Sequence, residues 1–193
     1  MAKVDYGIDN DIGTSELNVT DRVAELDGLD IVKEAIQAIG TTTIVSCPLE
    51  PIVIPGVTAA AYTAGDCVGT VLKVAVPKRG VIMSGLLLEL SDTGGQYDLE
   101  IFKQEYTAIA DNDAWSPTDQ DMKSFVTELA FVSGDDQDSS YSFELNNIGK
   151  AYTAPGGFFY IQCVDRGAKT IAANQIPMVQ LQIQSFDPDF KES

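Results

Sequence analysis

Carboxylates are the most abundant reactive side chains in this sequence. Asp and Glu number 29 against 12 Lys and Arg, and there is no His. Asp92-Thr93-Gly94 matches the short motif of aspartic proteases. That chemistry needs two carboxylates sharing one proton, so a single copy would act only in a symmetric dimer. Ser91 precedes the motif and Gly95 follows it, where such proteases place apolar residues before the Asp; the same residues make a tight turn. Asp9-Asn10-Asp11 and Asp111-Asn112-Asp113 have the opening spacing of a calcium loop, which also demands a Gly at its sixth position and a Glu at its twelfth. Counting from Asp9, those positions hold Thr14 and Thr20; counting from Asp111, the fifth and sixth hold Trp115 and Ser116. Neither fits. A different calcium site built on Asp111, Asp113, Asp119 and Asp121 competes with a solvated acidic loop. Asp135-Asp136-Gln137-Asp138 reads as an exposed charge run. A glycosidase would need two carboxylates at a set separation across a cleft. Neither G-x-x-x-x-G-K nor G-x-G-x-x-G occurs.

The missing His removes Ser-His-Asp and Cys-His catalysis and His-ligated zinc or haem. Cys47, Cys67 and Cys163 are far apart and form no C-x-x-C. An odd count fits reduced, buried thiols made in a cytosol; the alternative is one disulfide with one free thiol. The expectation is a protein without enzymatic activity and without a cofactor or metal. A net charge of −17 opposes binding to nucleic acid, whose phosphates require clustered Lys and Arg, and opposes an anionic membrane surface. No apolar run approaches the ~18 residues of a membrane-spanning helix. Met1–Gly13 is polar and acidic, unlike a signal peptide.

The elements that would position these groups are mostly strands. Residues 1–40 are expected to form an N-terminal arm and one helix, and residues 41–193 a β domain. The arm carries Val4, Tyr6, Ile8, Ile12 and Leu17 among polar residues and glycines. Over 20–40, Val23, Leu26, Leu29, Val32, Ile36 and Ile39 recur at spacings of three and four, the period of an amphipathic helix. Gly40 stands where a terminating glycine would. Beyond it the texture becomes β-branched and alternating. Strands are expected at Thr42–Cys47, Ile52–Ile54, Cys67–Val76, Val81–Leu90, Tyr97–Lys103, Phe125–Val132, Tyr141–Leu145, Gly157–Val164 and Ile176–Phe186. Pro48, Pro51 and Pro55 keep the first two at sheet edges or in extended connections. Pro77-Lys78-Arg79-Gly80 predicts a hairpin joining the third and fourth, and the continuous apolar run of the fourth predicts burial on both faces. Residues 104–124 form the longest connection, with a helical turn expected over Thr118–Lys123. The sum is a mainly β chain, an antiparallel β-sandwich or jelly-roll-like domain. Trp115, in the long connection, would either plug that loop onto the core or bind a sugar or a partner.

Several segments in this order carry a resemblance. Ala61-Tyr62-Thr63-Ala64-Gly65-Asp66-Cys67-Val68-Gly69 leads into a strand; Gly80-Val81-Ile82 and Leu99-Glu100-Ile101-Phe102-Lys103 follow. Then come Asp111-Asn112-Asp113-Ala114-Trp115-Ser116-Pro117-Thr118-Asp119 and a late Gly157-Phe158-Phe159-Tyr160-Ile161-Gln162. Over about residues 60–185 the chain resembles small β-rich virion structural proteins of tailed bacteriophages, in particular those that decorate the capsid. The resemblance implies a capsid decoration (cement) protein, made in the host bacterial cytoplasm and placed on the capsid surface. Its partners would be the major capsid protein and itself, as a homotrimer. Subunit contacts are then expected from the arm residues named above, from Val23, Leu26, Val32, Ile36 and Ile39, and from Trp115. The alternative is a tail, neck or fibre-base component with a host- or glycan-binding loop.

Overall fold

The computed structural model describes residues 43–91, 94–187 and 190. The expected arm and helix, with Val4, Tyr6, Ile8, Ile12, Leu17, Val23, Leu26, Val32, Ile36 and Ile39, lie outside these residues, as do Asp92 and Thr93.

Alternation sets the strands. In β12 (Met178–Ser185) Val179, Leu181 and Ile183 are buried, while Met178, Gln180, Gln182 and Gln184 face outward. Burying three branched side chains contributes roughly 1.5–3 kcal/mol each. β12 lies between β1 (Thr43–Val53) and β4 (Arg79–Glu89), antiparallel to both. On its other side β4 pairs with β8 (Tyr141–Leu145) and β9 (Lys150–Thr153), and the two-residue β7 (Asp135–Asp136) pairs with β8. These six strands form one sheet. A second, four-stranded sheet runs in the order β3 (Cys67–Ala75), β10 (Phe158–Asp165), β5 (Tyr97–Phe102), β6 (Phe125–Phe131), all antiparallel. A short ladder joins β2 (Ala60–Ala61) to β11 (Thr170–Ile171). Val45, Ile82, Leu87, Phe143, Leu181 and Ile183 of the first sheet share one apolar core with Leu72, Leu99, Ile101, Phe131, Phe159 and Ile161 of the second. The domain is therefore mainly β, two antiparallel sheets enclosing a common core.

Three expectations are corrected. First, β3 and β4 do not form a hairpin: they belong to different sheets, and residues 76–78 turn the chain from one to the other. Both strands need a core-facing side, and opposite layers satisfy both without pairing them. Second, β4 is buried on one face only. Ile82, Leu87 and Glu89 are inward, whereas Val81, Met83, Leu86 and Leu88 are half-exposed on the outer face. Third, Thr42–Cys47 and Ile52–Ile54 are not two strands; β1 spans Thr43–Val53 with a register shift between Cys47 and Ile52. The break falls at Pro48 and Pro51, which cannot donate to a ladder. The Gln180 amide of β12 donates there to the carbonyls of Pro48 and Leu49 at 3.2 and 2.7 Å. Among the described residues β1 is a terminal strand of its sheet, one of the two placements the prolines allowed.

Candidate functional site

The segment 61–69 and the segment 111–119, far apart in sequence, are neighbours in space. An isolated bridge links Asp66 to Ala114. The Cys67 N–H donates to the Asp113 carbonyl at 2.8 Å, and the Trp115 N–H to the Gly65 carbonyl at 2.8 Å. Asp111 is the centre of this contact. Its Oδ1 accepts from the Tyr62 hydroxyl at 2.8 Å and from the Gly69 N–H at 2.5 Å. Its Oδ2 accepts from the Thr58 N–H at 3.0 Å and hydroxyl at 2.5 Å. Gly69 reaches it because β3 bulges there: φ is +71°, and a Cβ would strike the Pro55 carbonyl. That left-handed conformation is open to glycine at no steric cost. Burial, followed by the Asp111 hydrogen bond, pushes the Tyr62 phenol up to about 12. Asp121 likewise spends its carboxylate on the protein, accepting from the Thr107 N–H and from the N–H and hydroxyl of Thr118. The Thr118 hydroxyl contributes most to holding it below the usual carboxylate range. Asp113 and Asp119 are exposed. Of the four carboxylates weighed for calcium, Asp111 and Asp121 thus serve two separate loop closures.

Residues 104–124 lie over the outer face of the four-stranded sheet. Phe102 stacks against Tyr106 with ring centres 4.4 Å apart and meets Trp115 edge-on at 6.0 Å. Trp115 also meets Tyr106 edge-on at 6.0 Å. The half-buried indole thus packs its loop against Phe102 and Tyr106. Beneath the loop Gln162 is fully buried; its amide donates to the Gly69 and Cys163 carbonyls and its oxygen accepts from the Tyr106 hydroxyl.

Beside Trp115 is a carboxylate group that no sequence motif marked. Asp98 and Glu100 of β5 and Glu128 of β6 bring their oxygens within 4.8 Å of one another. Strand register does this, since Glu100 lies opposite Glu128 and two residues from Asp98 on the same face. Arg166, just after β10, is ion-paired with Asp98 and reaches Glu100 at 3.4 Å. Burial first, then the Glu128 carboxylate, raise Glu100 from 4.5 to about 7, against the opposing pull of Arg166. The guanidinium supplies the positive charge that a cation would otherwise bring. A second buried pair, Lys169 with Glu89, sits at the same end of the fold, where Glu89 also accepts from the Tyr97 hydroxyl at 3.0 Å and the Gly95 N–H at 3.1 Å. Among the described residues each buried charge has a hydrogen-bond or ion-pair partner, as burial requires.

Cys47, Cys67 and Cys163 are buried, with no disulfide among them. Burial, with Asp66 and Asp113 nearby, pushes the Cys67 thiol up to about 12, which leaves it unreactive. Among the described residues no helix is long and apolar enough to cross a membrane.

The surface feature that stands apart is apolar. On β1, Ile44, Leu49, Ile52 and Val53 are 61, 55, 40 and 50% exposed. Sequence reasoning placed these residues at an edge or in an extended connection but did not single out their side chains; the adjacent apolar pairs Ile44-Val45 and Ile52-Val53, which put one member on each face of a strand, were the available signal. No protein-family model matches this chain, and neither does any curated protein or solved structure.

Proposed function

We propose that this chain is a non-enzymatic structural protein of a tailed-bacteriophage virion, a capsid decoration protein that stabilises the head by bridging capsid subunits. The observation that carries this reading is the number of exposed apolar side chains along strand β1, Ile44, Leu49, Ile52 and Val53, in a chain of net charge −17. An acidic coat keeps free copies apart. Exposed apolar side chains then bind only where a complementary surface is presented, and what binds only the assembled shell stabilises it by mass action. The resemblance over residues 60–185 and the antiparallel β domain are consistent with that role. So is the use of the motif carboxylates Asp111 and Asp121 in loop closure rather than at an open cleft. In this reading the partners are the major capsid protein and further copies of the chain, as a homotrimer. The tail or fibre-base alternative, with glycan bound around Trp115, has less support because that indole packs on Phe102 and Tyr106.

The test is co-sedimentation of the full chain with expanded capsids that lack it. Saturable binding, with capsids that then withstand higher temperature, is the expected result. Deleting residues 2–19, or replacing Ile52 and Val53 with Lys, should each weaken binding by about tenfold or more. Capsids that take up neither the parent chain nor gain heat resistance would sink the proposal and direct attention to tail components.

A further inference from the structure

On the side of the sandwich opposite β1, the two sheets part. β6 pairs only with β5, and β9 only with β4, among the described residues. Toward the far end, β6 closes against β8; toward this end, the edges of β6 and β9 stand either side of a cleft of about 450 Å³. Val126 and Tyr152 line it together with Phe125 and Thr153, and Lys103 and Lys150 flank it. Neither lysine makes an ion pair among the described residues. Arg79, at the start of β4, lies across the ladder from Thr153 and adds a third positive charge beside the cleft.

We propose that this cleft receives an extended, carboxylate-bearing peptide segment of another protein, which adds as a strand to the open edge of β9. An open edge offers main-chain donors and acceptors that an incoming strand satisfies, and flanking pockets take alternate side chains. The partly apolar lining suits every second side chain of such a segment. Lys103 and Lys150 select the charge of the others, because an unpaired lysine at a contact disfavours basic segments as strongly as it favours acidic ones. A basic segment is drawn instead to the rest of this acidic surface, not to this place. The inference does not depend on the virion assignment: it concerns which segment binds, whatever assembly supplies it.

The experiment uses the full-length chain and a fluorescein-labelled decapeptide of alternating Glu and Val, followed by anisotropy. Saturable binding is expected, weakening steeply as salt is raised, together with amide shift changes at Ala151, Tyr152 and Thr153 in a ¹⁵N-labelled sample. Replacing both lysines, Lys103→Glu with Lys150→Glu, should weaken binding at least about tenfold. The milder pair Lys103→Ala with Lys150→Ala, checked for an unchanged melting temperature, should weaken it by several-fold. Lys73→Glu, on β3 and away from the cleft, should leave it unchanged. Three outcomes overturn the proposal: no saturable binding, binding indifferent to both lysine pairs, or equal binding of an alternating Lys-Val peptide. Displacement of the peptide by single-stranded dT10 from these same amides would overturn it too, in favour of a phosphate ligand.

Discussion

At the residue scale, two carboxylates show how environment assigns different work to the same chemical group. Asp111 accepts four hydrogen bonds from Thr58, Tyr62 and Gly69, tying the entry of β3 to the loop that crosses the four-stranded sheet. Asp111→Ala leaves those donors without their acceptor. It should cost about 2–3 kcal/mol, since bonds to charged acceptors are worth more than neutral ones and part of the loss recurs as desolvation; urea unfolding measures it. Glu100 behaves in the opposite sense. Burial and the facing Glu128 raise it to about 7, so the folded protein binds a proton that the unfolded chain has already released at 4.5. The folded state therefore loses stability as pH rises from about 4.5 to about 7, and the loss is complete above that window. The full shift corresponds to on the order of 3 kcal/mol, reduced by whatever water reaches the site. Glu100→Gln should flatten this part of the stability curve and leave the protein more stable than the parent at pH 8. An unchanged slope between pH 5 and 7 would place the proton elsewhere.

At the element scale, β12 is the strand on which the larger sheet depends. It pairs along its length with β1 on one side and β4 on the other, and its inward residues reach the middle of the core. Leu181→Ala should cost about 2–5 kcal/mol, the range for a fully buried leucine whose cavity cannot collapse, read as a lower denaturant midpoint with an unchanged m-value. The outward Gln182, which is exposed, should tolerate Ala within about 0.5 kcal/mol. Gln180 lies on the same face but is not equivalent, because its amide completes the ladder where Pro48 and Pro51 interrupt β1. Such a contact was not legible in the alternation, which marked Gln180 only as outward. Alternation likewise gave the strand boundaries of β5, β6, β8 and β10 to within about two residues, yet joined β3 and β4 in a hairpin that the fold does not contain.

At the scale of the whole molecule, charge governs behaviour in solution. The sequence pI is about 4.1 and the net charge at pH 7 is −17. Free copies should stay dispersed near neutrality and lose solubility as pH falls toward 4, with turbidity greatest there, because mutual repulsion disappears. At that pH the exposed apolar side chains of β1 would meet no electrostatic opposition. Replacing Ile44, Ile52 and Val53 with Lys should then reduce the turbidity; turbidity identical to the parent would show that association uses another surface.

Composition and short-range pattern by themselves determined that this chain is mainly β and antiparallel, has no His-based chemistry, and buries its thiols. Those properties follow from residue types and from the two-residue period of a strand, which any local window contains. Only the tertiary structure decided which sheet each strand joins, because that choice is made by layers competing for one core and not by the turn between neighbours. It alone brought Asp98, Glu100 and Glu128 together with Arg166, since strand register and a residue beyond β10 create the group. It alone made Asp111 a clasp, because Thr58, Tyr62 and Gly69 stand 42 to 53 positions away along the chain and meet it only after folding.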